Sequence, residues 1–328
     1  MSQTEVLFGR YIPSLDIALG VIFILLTFLS FALNPLVFHF YLRKQPHTSC
    51  NLLHMGLCLW NFLVNLTRPV VVSASFLSPD SVNETAAPLW QTVLTAWVVI
   101  PQNMSCVIYA LLSIDLLLKV VRPFYKIHKQ HLQLYHWGAC MVQSVALATV
   151  YFIEQGDVNW IVGMGHVYPQ LAARDKLSRF LLIGTLFGIG FLHSVISFIV
   201  TIATAVSLAT QRFLSPMTSK SLQVKLVKLF ILNFGSVTFS ASFAFVIYSL
   251  SKVFSLNMAK EDPRIAEVRQ MTFWGTLFVR TCTAAIDPLI LVLFNRGLTK
   301  KTLRLISFRK VINVKRNNNS TINDTVEI

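Results

Sequence analysis

Thr281-Cys-Thr-Ala-Ala-Ile-Asp287-Pro288-Leu-Ile-Leu291-Val-Leu-Phe294-Asn295-Arg296 is the stretch whose reading decides how this chain folds. It closes the last of seven long apolar runs, from about Val268 to Phe294. A proline inside a helix removes one backbone hydrogen bond and bends the axis. A carboxylate at membrane depth is costly, and such residues normally face the protein interior and carry a function. The stretch therefore predicts a helix with a bend, a buried acid beside the bend, and a basic amphipathic segment directly after it.

A spanning helix needs about 20 mostly apolar residues. Seven runs qualify, roughly 15–42, 50–77, 89–121, 132–153, 177–211, 221–255 and 267–294. The chain of 328 residues is 54% hydrophobic and 13% charged, with mean hydropathy +0.62. That balance fits a chain that is mostly membrane span and excludes an ordinary soluble domain. The fold class expected is an all-α, seven-transmembrane helix bundle. Residues 1–14 form an outside tail, 15–294 the bundle, 295–311 an amphipathic helix 8 and 312–328 a disordered tail. No internal repeat is visible, which disfavours the repeat-built transporter folds. The first span is expected to direct insertion itself, without a cleaved signal peptide. The five cysteines, Cys50, Cys58, Cys106, Cys140 and Cys282, all lie in or beside apolar runs. They have no metal-ligand spacing and no pattern of a disulfide framework, and read as small buried residues.

Lysine and arginine in short loops set the orientation. With the N-terminus outside, the inner loops hold Arg43, Lys44, Lys119, Arg122, Lys126, Lys129, Arg212, Lys220, Lys225 and Lys228, and the tail from Arg296 to Arg316 adds more. Most acids, including Glu84, Glu154, Asp175 and Glu261, fall on the opposite side. The formal charge of +14 is thus a topology signal and a match to anionic inner-leaflet lipid. Nucleic acid is not an expected partner, because the basic residues are dispersed over several loops. Asn83-Glu-Thr is a glycosylation acceptor in the first outside loop. Asn65-Leu-Thr and Asn103-Met-Ser lie within spans and should stay unmodified.

Several short motifs now bear on family. Asn34-Pro35-Leu36-Val37 looks like Gly-Asn-x-x-Val with Leu33 for the glycine, and Leu57-Cys58-Leu59-Trp60-Asn61 like Leu-Ala-x-x-Asp with Asn61 for the acid. Ser113-Ile114-Asp115-Leu116-Leu117 looks like an Asp-Arg-Tyr end of helix 3, with leucines for arginine and tyrosine. Asp287-Pro288-Leu289-Ile290-Leu291 looks like Asn/Asp-Pro-x-x-Tyr with Leu291 for tyrosine. Over about residues 15–310 the chain resembles the rhodopsin-like (class A) G-protein-coupled receptors, of a divergent, orphan or chemosensory type. It departs from them in lacking the helix-3 cysteine near Gln91 and a partner cysteine in 154–176, so the family's outside disulfide cannot form. Helix 6 reads Val237-Thr238-Phe239-Ser240 in place of Cys-Trp-x-Pro, and helix 5 has no proline.

The resemblance implies a plasma-membrane receptor that binds an extracellular ligand and signals through heterotrimeric G proteins, not an enzyme and without a cofactor. Asn61, Ser105 and Asp287 stand where the family surrounds a sodium ion. With Asn34 they form either a satisfied polar network or a working ion or proton switch. Arg68 and Arg280, in the outer halves of helices 2 and 7, either snorkel to the interface or line a cationic pocket for a carboxylate, phosphate or peptide terminus. His193 is a further candidate for that cavity. Val98 stands where amine-binding members carry an aspartate, which disfavours a biogenic amine. No lysine in helix 7 is placed to hold retinal, which disfavours an opsin. Asp115, Leu116, Lys119, Pro288 and Leu291 belong to the activation and G-protein face, where Lys119 can pair with Asp115 one turn away. Two other functions compete: a receptor-fold protein that binds ligand or partners without coupling, and a seven-span channel or transporter, which needs more polar stripes than the spans show. Thr325-Val326-Glu327-Ile328 offers a PDZ-type terminus.

Overall fold

Apolar runs in lipid must satisfy their backbone polar groups internally, so they fold as helices. In the computed structural model, residues 13–44, 48–66, 88–122, 128–156, 158–163, 166–171, 174–210, 222–233, 282–295, 297–300 and 302–303 are described. Helix α1 is Pro13–Arg43, α2 is Ser49–Leu66, α3 is Pro88–Val121 and α4 is Lys129–Ile153. Helix α5 runs Lys176–Thr210, α6 covers 222–233 and α7 is Cys282–Leu293. Four of them are long and apolar enough to cross a membrane: α3 within Val99–Val121, α4, α5, and α1 within Ile24–Arg43. The molecule is a multi-pass membrane protein.

Helix α3 is the axis of the bundle. Its spanning window is 72% buried, against 28%, 22% and 25% for α1, α4 and α5. Val37, Leu57, Met104, Ile108, Leu232 and Leu291, from five helices, share one buried cluster around it. The outward faces carry large apolar side chains such as Phe28, Leu134 and Phe152, each more than 60% exposed. A surface of that kind suits lipid and would aggregate in water. Apolar contact drives little association between helices within lipid, so close approach and polar ties matter more.

Two features were not foreseen. The outside loop 154–176 contains an antiparallel hairpin, β1 (Val158–Gly163) paired with β2 (His166–Leu171), with Val158 opposite Leu171 and Gly163 opposite His166. It is the one departure from an all-α chain among the described residues, and it rests against α3. Helix α5 contains a π-helical turn, Leu186–Phe191. The chain thus breaks the regularity of helix 5 without a proline. The widened turn brings Gly190 against α3, where an added Cβ would lie 2.7 Å from Asn103 Oδ1. Gly190→Ala must displace the Asn103 side chain on the α3 face toward α5, and overpacking of this kind typically costs about 1–3 kcal/mol. Thermal unfolding of the detergent-purified variant checks it, against Gly188→Ala, whose Cβ meets open space.

The outer end of α4 is closed by a left-handed turn. Gln155 and Gly156 have φ of 55° and 78°, and Gly156 N–H donates to Tyr151 O at 2.9 Å. Glu154 Oε1 accepts the backbone N–H groups of Arg174 and Asp175, both at 2.9 Å. Asp175 Oδ2 in turn accepts Leu177 N–H at 2.7 Å and caps α5. These bonds, Asp175 N–H foremost, hold the Glu154 carboxyl below its ordinary range. The lowered pKa means that this clasp is fully present above the unfolded value, about 4.3, and is lost as pH falls through the folded one. Protection of the Arg174 and Asp175 amides relative to their intrinsic exchange rates should therefore fall as pH drops well below the ordinary glutamate value of about 4.3, and should fall at neutral pH in Glu154→Ala.

At the inner end, Asn295 Oδ1 accepts the N–H groups of Gly297 and Leu298 at 3.2 and 3.3 Å. It is the N-cap of the short helix after α7, of which 297–300 and 302–303 are described. Thr299 Oγ1 secures the joint by donating to Val292 O at 2.6 Å.

Candidate functional site

Pro288 has no N–H, so the carbonyl four residues earlier, on Ala284, loses its helical partner. Helix α1 supplies the replacement: Asn34 Nδ2 lies 3.3 Å and Ser30 Oγ 3.5 Å from Ala284 O. Ser30 Oγ also accepts Asn34 Nδ2 and Asn65 Nδ2, each at 2.7 Å. The proline step of α7 is thereby stitched to α1, and through Ser30 and Asn65 to α2.

Asp287, adjacent to Pro288, is 1% exposed. Its Oδ2 accepts Asn61 Nδ2 at 2.9 Å and the Tyr109 hydroxyl. Asn61 Oδ1 accepts Ser105 Oγ at 3.2 Å. Asn34, Asn61, Ser105 and Asp287 thus belong to one buried network joining α1, α2, α3 and α7. Ser30, Asn65 and Tyr109 complete it and were missed from sequence. Asn65 is fully buried inside this network and Asn103 is 4% exposed, so neither can carry a glycan. Among the described residues no cluster of three or more acids, histidines and cysteines could hold a metal. What the arrangement offers is one carboxylate held by neutral donors, deep between four helices.

A second buried network lies nearer the cytoplasm, also unforeseen. Ser113 of α3, Ser197 and Thr201 of α5, and Asn233 of α6 are all fully buried. Asn233 Oδ1 accepts Ser197 Oγ at 2.6 Å, and its Nδ2 donates to Thr201 Oγ1 at 2.7 Å and Ser113 Oγ at 3.3 Å. Ser113 and Ser197 hydroxyls are 2.8 Å apart. One amide therefore ties three helices. The signal was the small hydroxyl stripe Ser194, Ser197, Thr201, Thr204 at helical spacing on α5.

The remaining candidates divide. Asp115 pairs with Lys119 one turn on. Leu116 and Leu291 lie in the apolar cluster at 6% and 1% exposure, and Pro288 is buried. His193 is 9% exposed, with Nδ1 3.1 Å from Gly188 O and Nε2 2.6 Å from the Tyr135 hydroxyl of α4. Both its ring nitrogens serve the α4–α5 contact and the π turn, so its sequence assignment to a ligand cavity gains nothing from its position. Val98 is part of α3, and its side chain is outside those described. Arg68, Arg280 and Asn83 lie outside the described residues.

Helix order, a buried third helix and the proline joint of α7 define a rhodopsin-like seven-helix membrane fold. Among solved structures the chain is similar to the crystal structure of squid rhodopsin, at 15% sequence identity and TM-score 0.62, covering 92% of this chain and 84% of that one. A likeness at that identity speaks for the fold alone. No protein-family model and no curated protein matches the chain.

Proposed function

We propose that the protein is a plasma-membrane receptor of the orphan or chemosensory type, which binds an extracellular ligand and signals through heterotrimeric G proteins. The observation that carries this reading is the network around Asp287, set inside a rhodopsin-like bundle. It couples the bend of α7 to three other helices, so a ligand that shifts any of them acts on all. The ligand is not a biogenic amine, since α3 offers Val98 where a carboxylate would be needed. Arg68 and Arg280 favour an anion or a peptide terminus, gripped by a guanidinium fork. Asn83 carries the glycan, and the basic tail lies on anionic inner-leaflet lipid. A second-messenger screen in transfected cells tests the reading, with Arg280→Ala as control. Silence across every G-protein class sinks it.

A second reading has its own support. Leu116 and Leu291 replace polar activation residues and pack in the apolar core, which suits a receptor fold that binds ligand or partners without coupling, among them a PDZ domain at Ile328. Gain of coupling in Leu116→Arg would favour this reading; unchanged coupling in a folded variant would count against it.

A further inference from the structure

We propose that Lys228 and His54 form a latch that holds the cytoplasmic end of α6 against α2. Lys228 Nζ lies 3.0 Å from His54 Nε2, across 174 residues of chain. An ammonium only donates hydrogen bonds, so Nε2 accepts and the ring proton sits on Nδ1. That proton faces Cys50, whose backbone accepts from the ring and whose Sγ lies 3.4 Å away. The ring cannot swing away from this task. It is 3% exposed and stacks on Tyr41, with centroids 5.1 Å apart and planes 14° from parallel. The Tyr41 hydroxyl is 3.5 Å from Asn295 Nδ2, the residue that caps the helix after α7. A chain of contacts thus runs from the α7 joint through α1 and α2 to α6.

The surroundings favour release as much as closure. Lys44, Lys119 and Lys225 all bear electrostatically on His54 or Lys228, and Asp115 is already paired with Lys119. The Lys228 charge therefore meets other cations at this face, and among the described residues the neutral acceptor that holds it is the His54 imidazole. Asn233 fixes α6 to α3 and α5 about one and a half turns further in. Breaking the latch would leave α6 hinged there, free to move outward at its end. Resting on the receptor reading, the latch supplies the restraint on α6 that Leu116, lacking a donor, cannot.

Paired spin labels on noncanonical amino acids at Thr48 and Val224, both exposed, report the α2–α6 separation in the full reconstituted chain. A hydrogen bond to a charged group is worth enough that Lys228→Met should shift the closed-to-open ratio by about tenfold, seen as a longer distance component. His54→Phe, which keeps the stacking on Tyr41 but has no acceptor, should give the same component. Combining the two should add nothing, and Lys228→Arg should restore the short distance. An unchanged distribution in both single variants overturns the latch, as does equal opening in the control Lys225→Met. Basal nucleotide exchange by added G proteins is read on the same samples. Opening without exchange keeps the latch and sinks the coupling reading; exchange without opening does the reverse.

Discussion

Asp287→Ala should be the most damaging single substitution in the described bundle. It removes the acceptor shared by Asn61 Nδ2 and the Tyr109 hydroxyl and leaves two donors buried. A buried donor that loses its acceptor costs up to about 1–3 kcal/mol. The sum is a large part of a typical folding stability of about 5–15 kcal/mol. A sharp fall in surface expression and in thermal midpoint after detergent extraction is the expected result. Asp287→Asn separates structure from signalling, because it keeps one acceptor oxygen and removes the acid. If the network is only a tie, the Asp287→Asn variant signals and folds nearly as the parent does. If an ion or proton works there, expression survives while the dependence of activity on sodium or pH disappears. Full retention of stability in the alanine variant would refute the network's role altogether.

Asn233→Leu should come next. The side chain is nearly isosteric in bulk, so the loss is polar. Ser197 loses its acceptor at 2.6 Å, while Thr201 and Ser113 lose a donor at 2.7 and 3.3 Å. Thr201 and Ser113 retain bonds to the carbonyls four residues back, on Ser197 and Tyr109, which softens the cost. About 1–3 kcal/mol remains, and because α6 is the helix released, the effect should reach activity as well. Raised basal signalling together with a lower thermal midpoint is expected. Asn233→Ser, which keeps a hydroxyl, should fall between the two.

The sequence is informative where one physical quantity dominates. Spans follow from run length against bilayer thickness, orientation from basic loops, and the bend from a proline beside an acid. Asp287, Asn61, Ser105 and Asn34 stood out because polar groups are rare at that depth. Tyr109 did not, since a tyrosine in an apolar helix looks like any other aromatic until its hydroxyl finds a partner. Ser113, Ser197 and Thr201 were hidden for a related reason: hydroxyls in membrane helices commonly bond back to their own helix, and Ser113 and Thr201 do so as well as reaching across. The π turn gave no warning beyond two glycines, Gly188 and Gly190. Strands β1 and β2 are short and separated by only Met164 and Gly165, in a segment that the sequence marked only as an outside loop. Lys228 looked like one more inner-loop cation, and only its approach to His54 distinguishes it.

The β1–β2 hairpin that rests against α3 has a practical consequence. All five cysteines are free thiols, so nothing covalent fastens this outer flap to the bundle. Among the described residues, the backbone ladder, the approach to α3 and the Glu154 clasp hold it. Thiol reductants should leave the fold untouched, so the protein can be extracted and stored under strongly reducing conditions that would unstaple a bundle closed by a disulfide. Conversely, acidifying the outer face to well below the ordinary glutamate value of about 4.3 should loosen the flap, because the Glu154 carboxyl that holds it titrates below its ordinary range.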